Sequence, residues 1–187
     1  GEMGFQHFVH DAEHTLLNVN ENRLGPYNAG SSFIYFNPQY LWQRLQANEE
    51  FTLLIGDRIH RHLFNDGALT TEKATELFLK RKDQIDRAVV AESARWGDSK
   101  RARPFTRNRE WVSSINTVLN SFIARRSRIL RNRLKSRNLY PDTDAPIFNH
   151  FGGVVPGGFE LRMDGGNATE IVYTLDGSDP RLLGGMR

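Results

Sequence analysis

Cysteine is absent from the 187 residues. That excludes disulfides, thiolate metal sites and cysteine nucleophiles, and it leaves the redox compartment open. No apolar run approaches the ~20 residues that a membrane span needs. The opening Gly1-Glu2-Met3-Gly4 lacks the basic-then-apolar order of a secretory leader, which says little about compartment. A glycine-rich phosphate loop of useful form is also missing. Acid is scarce between residues 95 and 137, where thirteen Lys and Arg face only Asp98 and Glu110. That is a net +11, so the rest of the chain carries −8 within an overall +3.

Hydrophobic residues make up 39% of the chain and charged residues 25%, a globular rather than a disordered composition. The length suits one domain with a core, or one domain with an appendage. The basic tract has two readings. In one it is compensated internally by acidic neighbours. In the other it meets an anionic partner such as phosphate, nucleic acid or a lipid surface.

Residues 5–17 read FQHFVHDAEHTLL, and the alternation at Phe5, His7, Phe8 and His10 predicts a short strand. Residues 18–37 are rich in Asn, Gly and Ser and predict a long loop. Helices follow. Asn37-Pro38 gives a cap and a first-turn proline, with Leu41 and Leu45 on the apolar face. Asn48 caps a second helix whose Glu49 and Glu50 suit the dipole. Its apolar positions include Phe51, Leu54, Ile55, Ile59, Leu63 and Phe64, and Asn65-Asp66-Gly67 stops it. Thr70 or Thr71 opens a third helix running to about Ala94. After a basic loop at 97–104, Asn108 opens the longest predicted helix, ending near Asn138. Its stripe is Trp111, Ile115, Val118, Leu119, Phe122, Ile129 and Leu134. Seven cations, Arg125 to Arg137, crowd its last turns, more than a helix dipole requires.

Helical spacing ends at the acidic, proline-bounded YPDTDAP stretch, 140–146, a linker candidate. Beyond it, 147–151, 158–163 and 170–175 read as short strands divided by Gly-Gly, Pro-Gly and Asp-Gly turns. Three such strands do not close a sandwich, so the β-part is expected to be truncated at its C-terminal end.

Two sets of motifs resemble known families. YTLDGSDPR, 173–181, resembles the repeat of the chitobiase/β-hexosaminidase C-terminal β-domain. The match implies an immunoglobulin-like accessory sandwich of secreted bacterial proteins, without catalytic residues of its own. FVHDAEHTL, NPQYLWQRLQANEEF, RIHRHLFNDGALT and AVVAESARWGD are similar to the C-terminal half of the spore coat protein H (CotH) kinase-like family, over about residues 5–140. That family has a divergent protein-kinase fold and transfers phosphate from ATP with a divalent metal. The resemblance puts Asp11 at the metal-binding aspartate, the counterpart of the kinase DFG aspartate. A carboxylate suits Mg²⁺ shared with ATP phosphates. The nucleotide-covering lobe, the phosphate-holding lysine and the catalytic-loop acid are expected before Phe5, so no catalytic residue is assigned in this chain.

Read without the resemblance, Asp11 and Glu13 are solvated loop acids. His7, His10 and His14 crowd the same segment, and His10 and His14 align on one face if it is helical. Zn²⁺ held by His10, His14 and Asp11 is the alternative, but His-Asp-Ala-Glu-His is neither HExxH nor its inverse. His60 and His62 are two apart on a helix and face different ways, which favours structural roles. Ser93 and Ser99 have no evident activating set. For the basic tract, packing and ion pairing rank first, for instance with the acidic helix 72–86. Substrate docking ranks second and nucleic acid third.

The fold expected is mainly α. Residues 1–142 form a helical, C-lobe-like block of a divergent protein-kinase fold. Residues 143–187 form a small truncated antiparallel β-unit, part of an immunoglobulin-like accessory domain. The function expected is Mg²⁺- and ATP-dependent phosphotransfer in the parent protein, with Asp11 as the metal and cofactor residue. No catalysis and no cofactor are expected of this chain alone. Its partners would be a protein substrate or the upstream nucleotide-binding lobe of the same polypeptide, with no membrane span. The family implies an extracellular or cell-surface location. The alternatives are a non-catalytic surface or scaffold interaction module, and anion or nucleic-acid binding through the Arg-rich helix.

Overall fold

The structure is a computed structural model and describes residue 12, residues 15–26 and residues 38–185. The strand expected at 5–10 lies outside the described residues. The chain is mainly helical: α1 Pro38–Leu45, α2 Glu49–Leu63, α3 Thr71–Trp96, α4 Val112–Thr117 and α5 Ala124–Lys135. Two strands, β1 Ile147–Phe148 and β2 Met163–Asp164, form the antiparallel sheet of the described residues. No helix among the described residues is long and apolar enough to cross a membrane. Two compact units divide the chain, residues 1–21 with 71–129 and residues 22–70 with 130–187.

The first unit is built on α3 and the helical run that begins at Arg107. That run opens with a π-helical turn, Arg107–Trp111, and widens again at Val118–Ile123. The expected start at Asn108 therefore moves back one residue. Thr106 is extended, at φ −132 and ψ 153, and its N–H donates to Glu110 Oε2 at 2.8 Å. This is the return half of a capping box. It spans four residues instead of three because the π-turn fits one more residue into the turn. Asp86 on α3 ties the run down. Its Oδ2 accepts from Arg107 Nη2 at 2.6 Å and its Oδ1 from Trp111 Nε1 at 3.1 Å.

The second unit holds the larger core. Asn48 caps α2, its Oδ1 accepting from Phe51 N at 2.9 Å. Trp42 meets Phe51 edge to face at 5.9 Å, fixing α1 against the start of α2. Ile55, Leu63, Leu134, Leu139 and Tyr140 form the buried cluster, with Leu24, Ile59, Phe64 and Leu130 packed around it. The end of α5 supplies two of these residues through its own geometry. Asn138 takes φ 55, Asn138 N donates to Lys135 O at 2.9 Å, and Leu139 N donates to Leu134 O at 3.0 Å. These are the two bonds of a Schellman ending, with Asn at the left-handed position that Gly usually fills. The motif brings Leu139 back onto Leu134 and delivers Tyr140 to the core.

Beyond Tyr140 the strand expectations hold only in part. Ile147 pairs with Asp164 and Phe148 with Met163. Asn149 extends the pairing through its side chain, accepting from Arg162 N at 2.9 Å and donating to Glu160 O at 3.0 Å. Residues 171–174 adopt no regular structure. A strand requires a ladder, whereas Thr174 Oγ1 donates to Ser178 O at 2.6 Å, which commits the end of this stretch to a turn.

Candidate functional site

Asp11, the residue expected to hold Mg²⁺, lies outside the described residues, as do Glu13, His7, His10 and His14. Among the described residues no group of three or more His, Cys, Asp and Glu is placed to hold a metal ion. The site that can be built from side chains is a groove of about 790 Å³ in the second unit. One face of α2 (Asp57, His60 and Arg61) forms one wall. Lys135 and residues 138–145 form the other, and Arg181 lies at the groove's edge. The volume falls within the range of small-molecule clefts.

Arg181 arrives there through the local chemistry of its own motif. Asp176 Oδ1 accepts from Ser178 N at 3.0 Å and from Ser178 Oγ at 2.7 Å. Asp179 Oδ1 accepts from Arg181 N at 2.9 Å. These are two successive Asx turns, with Gly177 at φ 80 between them. The turns aim the Arg181 guanidinium so that it lies between two carboxylates. It meets Asp57 through Nη1–Oδ1 at 3.1 Å and Nη2–Oδ2 at 2.8 Å. It meets Asp179 through Nε–Oδ1 at 2.9 Å and Nη2–Oδ2 at 2.7 Å. Both contacts use the two-pronged geometry that only a guanidinium provides. Hydrogen bonds from the Arg181 side chain and backbone hold Asp179 down at about 2. The paired carboxylates push Arg181 up. Gly184 N donates to Glu50 on the first turn of α2, so the same segment is fastened at two points.

Deeper in the groove, His60 Nδ1 and Tyr140 Oη share a hydrogen bond at 3.1 Å. Phe64 stacks on both rings, at 4.9 Å from His60 and 5.4 Å from Tyr140. Arg131 caps Phe64 at 5.0 Å. Burial lowers His60, and the nearby Asp57 charge only partly offsets this. Burial, with the Asp144 charge, raises Tyr140. The pair is therefore neutral at pH 7, an unprotonated imidazole hydrogen-bonded to a phenolic hydroxyl. His60 and His62 do face different ways, His60 into this groove and His62 toward an apolar cleft lined by Leu24, Trp42, Leu63 and Leu134.

The basic tract runs through both units, and several of its arginines find acceptors inside the unit they belong to. Arg107 pairs with Asp86 at 2.6 Å, so the expected contact with the acidic helix is present at this position. Hydrogen bonds from Arg107 and Trp111 lower the Asp86 carboxyl despite partial burial. Arg109 pairs with Glu110 at 2.6 Å. That bond, followed by the Thr106 N–H, brings Glu110 down to about 2. In the same unit Arg126 donates to the carbonyls of Val19 at 2.7 Å and Glu21 at 2.8 Å. In the second unit Arg137 donates to Leu24 O at 3.3 Å.

Sequence reasoning named the motif containing Arg181 but missed Asp57 and Tyr140 as its neighbours. A charged residue ending an Asx turn was the available signal for Arg181. Asp57 carried none, because an exposed helical acid 124 positions away from its partner reads as solvated. Comparison with family models, with curated proteins and with solved structures gives no match to this chain.

Proposed function

We propose that the chain is the C-terminal, C-lobe-like part of a CotH-like kinase polypeptide followed by the opening of an accessory β-domain. Phosphotransfer from Mg²⁺-ATP to a protein target belongs to the parent protein, with Asp11 holding the metal, and the chain alone is not active. The observation that carries the reading is the sequence order of the motifs, which coincides with structural junctions. NPQYLWQRLQANEEF covers α1, the Asn48 cap and the first turn of α2. RIHRHLFNDGALT covers the end of α2 and the turn before α3. AVVAESARWGD covers the end of α3. Calorimetric titration of Mg²⁺-ATP into this chain and into Asp11→Ala tests it. Asp11-dependent binding supports a surviving part of the site. Phosphotransfer by the longer polypeptide that persists in its Asp11→Ala variant would refute the assigned role.

A second reading is favoured by the groove. The segment 173–184 is fastened to α2 by Arg181–Asp57 and Gly184–Glu50, beside a cleft lined by both apolar and charged side chains. On this reading the second unit is an interaction module. It predicts no nucleotide response in any form of the protein.

A further inference from the structure

The last turn of α3 and the loop that joins it to the helical run at Arg107 carry cations that the internal pairing leaves outside. Arg95, Lys100, Arg101 and Arg103 are all exposed. Two large aromatic rings stand among them, Trp96 with 52% and Phe105 with 46% of its surface open to solvent. The stem of the loop is closed by Phe105 N donating to Gly97 O at 2.8 Å, so the two rings are held at the same end. Each ring carries a guanidinium on one face, Arg95 over Trp96 at 5.0 Å and Arg101 over Phe105 at 4.5 Å. Arg95 and Arg101 are thereby held beside the apolar surface of the rings. The acids nearby do not cancel them. Glu110 is taken by Arg109 and Thr106, leaving Glu92 and Asp98 against the four exposed cations.

Exposed Trp and Phe interleaved with Lys and Arg match the headgroup region of a bilayer, where rings lie at the apolar boundary and cations meet phosphate. A single-stranded nucleic acid would instead call for a basic groove in which successive bases stack on a row of rings, and here two rings stand at the stem of a single loop, each with a guanidinium on one face. We infer that the 95–105 segment, the end of α3 with the loop after it, is a peripheral docking surface for an anionic phospholipid bilayer.

The test is co-sedimentation of the chain with vesicles of phosphatidylcholine, alone or with phosphatidylserine added, and with the double variant Arg101→Glu/Arg103→Glu. Both side chains are exposed, and matching thermal melts establish that the variant folds. The expected result is binding to phosphatidylserine vesicles only, weakened by added salt, with at least a roughly tenfold loss in the double variant. Equal partition onto neutral vesicles, no binding to anionic ones, or an unchanged double variant overturns the inference. Tighter binding to a single-stranded oligonucleotide at the same salt also overturns it, in favour of a nucleic-acid surface.

Discussion

Two glycines of the second unit should respond to the same substitution with opposite signs. Gly67 lies in the turn that leaves α2. That turn is tied by Gly67 N to Phe64 O at 2.9 Å, Leu69 N to His62 O at 2.8 Å and Thr70 N to Gly67 O at 3.0 Å. Thr70 Oγ1 also donates to Gly67 O at 2.8 Å, and Thr70 is buried. A Cβ added at Gly67 would stand 2.5 Å from Arg61 O and 2.6 Å from both His62 C and His62 O. All three are backbone atoms of the last turns of α2, so no side chain can swing aside. Either the turn opens or the helix end shifts. Gly67→Ala should therefore cost about 1–3 kcal/mol, the range for forced overpacking. Gly56 is in the interior of α2, and a Cβ there meets nothing within 4 Å. Gly56→Ala should stabilise by roughly 0.5–1 kcal/mol, because Ala loses less backbone freedom in a helix. Urea unfolding followed by circular dichroism measures both, with the m-value as a check that the unfolded state is unchanged. A neutral Gly67→Ala, or a destabilising Gly56→Ala, would refute the packing described here.

Asn48→Ala removes the acceptor of Phe51 N and should cost about 1 kcal/mol, read as a lower urea midpoint; Asn48→Asp should restore most of it. His60 is held below its ordinary 6.5 by burial, so the unfolded chain takes up its proton first as pH falls. The contribution of His60 to stability is thus complete above about pH 6.5 and is lost as pH falls through its lowered folded value. Unfolding titrations across that range should show the slope in the native sequence and lose it in His60→Gln; an unchanged slope would assign it to another group.

The parts of the fold that were legible in sequence are those fixed by contacts between near neighbours. The Asn48 cap, the stop after Phe64 and the end of the basic helix near Asn138 all rest on bonds spanning three to five residues. The start at Arg107 was misread by one residue because a π-turn has no signature in apolar spacing. The third strand was misread for another reason. Residues 170–175 carry β-branched and aromatic residues between turn signals as a strand should, but a ladder partner is a property of the whole chain. The Asx turns at Asp176 and Asp179 are local and take precedence over the end of the segment. The groove was illegible because its essential pairs, His60 with Tyr140 and Asp57 with Arg181, join residues 80 and 124 positions apart.

The same distinction decides what the positive charge of residues 95–137 can do. Read as a string, it is one basic block. In the fold it separates by the acceptors within reach. Arg107 and Arg109 meet carboxylates that are lowered by the contact, and Arg126 and Arg137 meet backbone carbonyls. A guanidinium held in this way contributes to packing and is costly to redirect toward a partner, since its acceptors would be left without a donor. At the 95–103 end, Arg95 and Arg101 lie over rings in place of carboxylates, and Lys100 and Arg103 are exposed beside them. Charge reversal at Arg107 should therefore register in stability, whereas reversal at Arg101 and Arg103 should register in binding to an anionic surface.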